Sequence, residues 1–196
     1  MKDFAFDWGE RLLLLLLFLG FAYPNIASRD WTNYLLVTLE TVSVIFILIR
    51  RRARSVSEKP LDWALAVAGT MAPLLIRPGG EHLGGWAAGA LIIVGTAVSF
   101  GAKASLNRRF SMAPANRGVQ AGFAYSIVRH PMYLGYIIAQ AGYLMHNPTV
   151  WNACVYAAAW SLQFARIGRE EAHLLQDPDY RAYASRVRFR LVPGLF

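Results

Sequence analysis

Apolar residues fill this chain in runs of about the length that an α-helix needs to cross a membrane, and short polar segments separate the runs. The runs cover residues 8–26, 31–49, 61–76, 86–102, 132–146 and 149–165. Because backbone polar groups inside a bilayer must be hydrogen-bonded within the protein, apolar runs of this length are expected to be helices. The pattern predicts an all-α, polytopic membrane helical bundle with five or six spans.

The first run has a second interpretation, because leucines fill positions 12–17 directly behind Arg11 and resemble the apolar core of a secretory signal peptide. No cleavage site of small residues follows, and the second apolar run begins soon after the first one ends. We therefore expect the first run to be retained as a membrane-spanning helix.

Composition agrees with a membrane protein, since 56% of the residues are hydrophobic, 16% are charged and the net charge is +8. Basic residues concentrate in segments 50–59, 103–117 and 166–190, whereas the other connections are short and close to neutral. Because Lys and Arg remain on the cytoplasmic side during insertion, a six-span chain would place all three segments and both termini in the cytoplasm. This predicts an integral protein of an inner or plasma membrane.

A nucleic-acid ligand is a weaker explanation of the positive charge, because the basic residues lie beside apolar runs and no aromatic residues alternate with them. Attraction to membrane lipids explains the charge better. Cys154 is the only cysteine, and His130, His146 and His173 do not have the spacing of metal ligands. We expect no metal ion, and the oligomeric state stays open.

The chain divides by composition into a transmembrane helical scaffold, residues 1–102, and a core with more polar chemistry, residues 103–196. Glu40 is an acid inside the second apolar run, and it is either a functional residue or a partner in a hydrogen bond between helices. The scaffold otherwise offers small residues that would let helices approach closely. These residues include Gly69, Gly85, Gly89, Ala90 and Gly95.

Two polar clusters flank the last two apolar runs, which predict a helical hairpin with Asn147-Pro148 at its turn and Pro148 in the first turn of the returning helix. His130 precedes Pro131, and proline starts a helix well, so His130 should lie at the entrance of the first hairpin helix. The hairpin would bring His130 close to Arg166. A segment of mixed apolar and basic residues follows and predicts an amphipathic tail along the membrane interface.

The second cluster contains Arg166, Arg169, Glu170 and Glu171, in which Arg166 and Glu170 are spaced for a pair on one helix face. These charges could simply cap a helix at the membrane interface. Adjacent carboxylates opposite a basic loop, residues 103–128, also suit a cationic ligand rich in hydroxyl groups. S-adenosylmethionine has these properties. The loop itself is either ordered by such a ligand or a solvated connection.

Residues 106–193 resemble the isoprenylcysteine carboxyl methyltransferase and phospholipid methyltransferase superfamily of integral membrane enzymes. The resemblance rests on an ordered set of short elements on both sides of the hairpin. They are Leu106-Asn107-Arg108, Tyr125, Arg129-His130-Pro131-Met132-Tyr133, Arg166, Glu170-Glu171, Leu174-Leu175, Tyr180, Tyr183 and Arg190-Leu191-Val192-Pro193. One departure lies in segment 119–125, where a glycine of the family pattern is displaced by one position.

The resemblance implies that S-adenosyl-L-methionine binds in a cytoplasmic pocket made from the hairpin, the preceding loop and the tail, with an opening to lipid for the methyl acceptor. It implies catalytic roles for Arg166, His130 and Glu170. The implied cofactor-binding residues are Asn116, Gly118, Val119, Tyr125, Arg129, His130, Pro131, Tyr133, Glu170, Glu171 and Arg190.

The resemblance implies a transfer in which positioning and exclusion of water supply most of the acceleration, because the sulfonium is already activated. The acceptor stays open between a lipophilic and a small molecule, and between carboxylate, amine and thiol. Two alternatives are an NADPH-dependent oxidoreductase like the sterol reductases and a non-catalytic membrane scaffold. Glu170-Glu171 argues against NADPH, since carboxylates repel its 2′-phosphate.

Overall fold

The computed structural model describes residues 2–27, 37, 41, 44–46, 48–49, 51, 53–77, 79–81, 83–111 and 113–196. The second predicted span therefore lies mostly outside the described residues, and Glu40 lies outside them as well.

Helices make up most of the described chain, which confirms the predicted helical character. They are α1 (Lys2–Ala27), α2 (Pro60–Met71), α3 (Gly85–Leu106), α4 (Pro131–His146), α5 (Val150–Leu174) and α6 (Pro178–Arg186). Short 3₁₀ helices occur at Ala72–Leu75, Asn107–Arg109 and Phe123–Ser126. Strands β1 (Ser55–Val56) and β2 (Ala115–Asn116) form a small antiparallel pair that the sequence analysis did not predict.

Among the described residues, one helix, Gly85–Arg109, is long and apolar enough by itself to cross a membrane. Shorter apolar helices cover Arg11–Gly20 and Pro60–Leu75. The number of spans therefore stays a prediction.

Helices α3 and α4 lie against each other with their backbones in contact, because glycine occupies the crossing positions. A Cβ atom added to Gly95 would lie 2.3 Å from the backbone nitrogen of Ala139, and one added to Gly135 would lie 2.5 Å from that of Ser99. This confirms the predicted close approach at Gly95. At Gly89 an added Cβ would meet no described atom within 4 Å, so close approach there stays a prediction.

The predicted hairpin is confirmed as α4 and α5, but its details differ from the sequence expectation. Thr149 caps α5 by accepting a hydrogen bond from the backbone N–H of Asn152 at 3.1 Å. Pro148 therefore lies ahead of the helix and not in its first turn, because a threonine oxygen satisfies an otherwise unpaired N–H there. Helix α5 continues to Leu174, so the second charged cluster lies within its C-terminal turns.

The hairpin turn is tied to the loop that precedes α3. Asn152 donates to the carbonyl oxygens of Arg77 and Asn147 at 2.8 and 2.9 Å, and Asn147 accepts from the N–H of Gly79 at 3.1 Å. Leu83 N–H donates to the carbonyl of Met145 at 2.9 Å. These contacts close the end of the hairpin that is opposite to His130.

Candidate functional site

His130 sits where the sequence predicted, immediately before the first residue of α4. The C-terminal segment fixes the backbone at this point, because His130 N–H donates to the carbonyl of Arg190 at 2.7 Å and Arg129 N–H donates to that of Phe189 at 3.0 Å. The start of α4 and the tail are thus held side by side, although they are far apart in sequence.

Glu171 is the centre of a buried network that joins α5, α4 and the tail. Its Oε1 lies 2.8 Å from His130 Nε2 and accepts from the Tyr180 hydroxyl at 2.7 Å. Its Oε2 lies 3.0 Å from Arg129 Nη2, while Arg190 Nε is further away at 3.9 Å. Burial by itself would raise the Glu171 pKa, but these hydrogen bonds and the nearby positive charge outweigh it and lower the pKa.

Glu170 has a different environment although it is the next residue. Its Oε1 accepts from the Tyr133 hydroxyl at 2.5 Å, and its Oε2 lies 3.7 Å from His130 Nδ1. Its side chain is 18% exposed, compared with 3% for Glu171. His130 therefore stands between two carboxylates, one buried in the protein and one at the edge of a cavity.

That cavity has a volume of about 110 Å³ and lies between the polar loop, the start of α4, the end of α5 and α6. Eight of the eleven predicted cofactor-binding residues line it: Asn116, Gly118, Val119, Tyr125, Arg129, His130, Tyr133 and Glu170. Pro131, Glu171 and Arg190 are not among its lining residues. The cavity is smaller than the roughly 300 to 1,000 Å³ of most ligand sites.

The polar loop is tied to the tail and to α3 by its own side chains. Asn116 donates to the Asp177 carboxylate, a contact that lowers the Asp177 pKa, and its Oδ1 accepts from the N–H of Gly118 at 3.0 Å. Gly118 has a φ of +93°, which favours glycine and turns the chain beside the cavity. Gln120 Nε2 donates to the hydroxyl of Ser105 in α3 at 2.9 Å.

Two tyrosines of α6 close the cavity from the tail. Tyr180 and Tyr183 are both buried, and the Tyr183 hydroxyl donates to the carbonyl of Tyr125 at 2.7 Å. Burial raises the Tyr183 pKa to about 12, so its hydroxyl remains a donor at physiological pH. These tyrosines were expected among the apolar residues of an interfacial tail, but they pack against the cavity because their hydroxyl groups find partners there.

Arg166 lies behind Tyr133 and is not among the residues that line the cavity. Its guanidinium carbon is 5.4 Å from the centre of the Tyr133 ring, and its side chain is buried. A Cβ atom added to Gly69 of α2 would lie 2.9 Å from Arg166 Cδ, so the glycine makes room for the arginine. Its contacts are those of a residue that supports Tyr133.

Asp62 of α2 is a buried acid that the sequence analysis passed over. It lies beneath the Arg169 guanidinium, whose Nε is 2.5 Å from Asp62 Oδ1, and it also accepts from the Ser57 hydroxyl. The signal that singled out Glu40, an acid inside an apolar run, was present at Asp62 too. This pair attaches α2 to α5 beside Glu170.

On the side of Glu170 the cavity suits a positively charged group and hydroxyl groups, and Arg109, Arg117 and Arg129 line other parts of it. Glu170 supplies a carboxylate, Asn116 supplies an amide, and Leu106, Ala113 and Met132 supply apolar walls. The described residues contain no group of His, Cys, Asp and Glu side chains that could hold a metal ion. The residues present therefore fit an adenosyl sulfonium compound.

Comparison with known proteins agrees with this geometry. Residues 89–176 match the model of the isoprenylcysteine carboxyl methyltransferase (ICMT) family, and the resemblance found in the motifs is confirmed over that segment. The segment contains every candidate site residue except Arg190. No curated protein matches the chain.

Proposed function

From this match to a family of membrane methyltransferases, we propose that the chain is an integral membrane enzyme that transfers a methyl group from S-adenosyl-L-methionine to a lipophilic or small acceptor at the cytoplasmic face. The observation that carries the proposal is the cavity wall itself. Segments 116–119 and 129–133 meet Glu170 there, and all of them lie inside the matched segment. If the charges of the second cluster only capped a helix at the membrane interface, these segments would not have to meet at one cavity.

The cofactor supplies an electrophilic methyl group on sulfur, and the chain has to bind and orient the two reactants. Glu170 is placed to accept hydrogen bonds from hydroxyl groups and to attract positive charge. Tyr133 holds the Glu170 carboxylate from one side, and His130 faces it from the other. Positioning of this kind contributes up to roughly 7 to 11 kcal/mol to a reaction between well-oriented partners.

The need for a base depends on the acceptor. A carboxylate or thiolate attacks without losing a proton, whereas an amine must release one. His130 is the candidate to move that proton, because its two ring nitrogens face Glu170 and Glu171. In the carboxylate or thiolate case His130 and Glu170 only bind and orient the reactants.

Ligand binding tests the proposal. Detergent-solubilised protein is titrated in a calorimeter with S-adenosylhomocysteine and, separately, with NADPH. We expect saturable binding of the sulfur compound and no heat from NADPH. The reverse result would replace the methyltransferase by an oxidoreductase, and no binding of either compound would favour a non-catalytic membrane protein.

Incubation with methyl-labelled cofactor identifies the acceptor class. An isoprenylated cysteine, a phospholipid amine and a small thiol are offered in parallel, and the labelled product is identified by mass spectrometry. Label in a base-labile ester indicates a carboxylate acceptor, because amine and thiol products survive base. Absence of label from all three classes, in protein that binds the cofactor, would show that the acceptor belongs to another class.

A further inference from the structure

A second cavity adjoins the candidate site, and five of its ten lining residues are arginines. We call it the arginine vestibule; the charged residues that line it are Arg51, Arg54, Arg109, Arg117, Arg186 and Asp179. It is more open than the first cavity and has a volume of about 520 Å³, within the range of small-molecule sites. Arginines brought together from three separate segments repel one another, so negative charge placed among them is favourable.

The protein supplies little of that negative charge. Arg54 pairs with Asp177 and Asp179 at 3.4 Å each. In contrast, Arg51, Arg109 and Arg186 have no carboxylate within ion-pair distance among the described residues. The Nε of Arg109 is buried and has no hydrogen-bond acceptor in the described part of the chain, although a buried donor ordinarily has one.

Hydrogen bonds to backbone groups fix part of the vestibule. Arg51 N–H donates to the carbonyl of Arg108 at 2.7 Å, and Arg117 Nη1 donates to the carbonyl of Arg51 at 2.8 Å. Arg117 is itself buried. The backbone at Arg51 and the guanidinium of Arg117 are therefore held in place, and the exposed guanidinium groups of Arg51, Arg54 and Arg186 lie around them. Guanidinium forks suit phosphate oxygens.

The position of the vestibule relative to the membrane indicates where a phosphate ligand would come from. The apolar helix that is long enough to span a membrane, Gly85–Arg109, ends at an arginine of the vestibule. The end of a spanning helix lies at the level of the lipid headgroups. Basic residues at that level attract anionic lipids.

We propose that the arginine vestibule binds the phosphate of an anionic phospholipid headgroup from the surrounding membrane. Arg109, Arg117, Gly118 and Val119 line both cavities, so the bound headgroup would hold the wall that separates them. Arg51, Arg54 and Arg186 line the vestibule but not the Glu170 cavity, so binding at these three arginines can be tested separately from methyl transfer.

The test uses full-length protein in a neutral detergent and the soluble short-chain lipid dihexanoyl-phosphatidylglycerol. Dihexanoyl-phosphatidylcholine and inorganic phosphate serve as comparison ligands. The variant Arg51→Gln/Arg186→Gln removes two exposed arginines of the vestibule. Its matched control, Arg181→Gln/Arg188→Gln, removes two exposed arginines outside it.

We expect the wild type and the control variant to bind phosphatidylglycerol equally, and the vestibule variant to bind it about tenfold more weakly. Added salt should weaken binding, because the contacts are between exposed charges. Equal binding by all three proteins would overturn the proposal. Tighter binding of inorganic phosphate than of the lipid would overturn the lipid source, and displacement of the lipid by S-adenosylhomocysteine would make the vestibule part of the cofactor pocket.

Discussion

At the scale of single residues, two neighbouring glutamates show how burial separates roles that the sequence makes look equal. Glu171 is enclosed by His130, Arg129 and Tyr180, whereas Glu170 reaches the cavity and touches Tyr133. On a helix, adjacent residues point about 100° apart, so one can face the protein interior and the other a cavity. Their substitution by glutamine should therefore have different consequences.

Glu170→Gln is expected to weaken binding of S-adenosylhomocysteine by roughly ten- to a hundredfold, because a charge-assisted contact contributes about 1.5 to 3 kcal/mol. Calorimetry measures the affinity, and a thermal melt of the ligand-free protein shows whether the fold is intact. Wild-type affinity in a well-folded variant would remove Glu170 from the proposed site.

Glu171→Gln is expected to lower the stability of the ligand-free protein by about 2 kcal/mol, because three groups then lose a buried anionic partner. The folded pKa of Glu171 is depressed, so its contribution is complete above the ordinary value of 4.5 and is lost as the pH falls through the folded pKa. Thermal melts from about pH 6 to about pH 3 should show the difference from wild type shrinking towards acid. A difference that does not change with pH would contradict the assigned charge.

At the scale of helices, the α3–α4 contact positions α4, whose start forms part of the cavity wall. Gly95 and Gly135 bring the two backbones together, and α4 carries His130 and Tyr133 at its start. Helix α2 then holds α5 through Asp62 and Arg169, which fixes the direction of Glu170. Small residues and one buried ion pair thus position the charged cluster.

Gly95→Val is expected to destabilise the protein by about 2 kcal/mol or more, because the added side chain meets backbone atoms that cannot move aside. Gly89→Val is the matched control, since it lies in the same helix and an added Cβ meets no described atom within 4 Å. Thermal melts and the yield of monodisperse protein in detergent measure both variants. Equal losses at the two positions would show that valine acts through helix propensity and not through the α3–α4 contact.

At the scale of the whole molecule, the hairpin separates two ends with different chemistry. Basic segments and the candidate cavity lie at the start of α4, whereas Asn147 and Asn152 tie nearly neutral turns together at its other end. The positive-inside rule predicts that the first end faces the cytoplasm. The predicted six-span arrangement would also place both termini there.

Accessibility labelling tests this orientation. Cysteines are introduced at Val150, which is 83% exposed, and at Arg188 of the tail in a Cys154→Ala background. Asn147 is unsuitable because it is buried. We expect a membrane-impermeant reagent to label position 150 from outside the cell and position 188 only after the membrane is opened. Labelling of both positions from one side would contradict the six-span arrangement, because a single span separates the two positions there.

The sequence by itself determined the features that depend on local order along the chain. Apolar runs predicted helices, Pro131 marked the start of α4, and the spacing of the polar clusters indicated a hairpin with both clusters at one end. The motifs also indicated the family, because short elements in a fixed order can be recognised in the sequence without knowledge of their contacts.

Only the tertiary structure decided the features that depend on burial and on contacts between distant residues. It separated Glu171 from Glu170, paired Asp62 with Arg169, and turned Tyr180 and Tyr183 towards the cavity. The physical reason is that one carboxylate or tyrosine looks like another in sequence, and only the neighbours that folding assembles determine whether it braces the protein or faces a ligand.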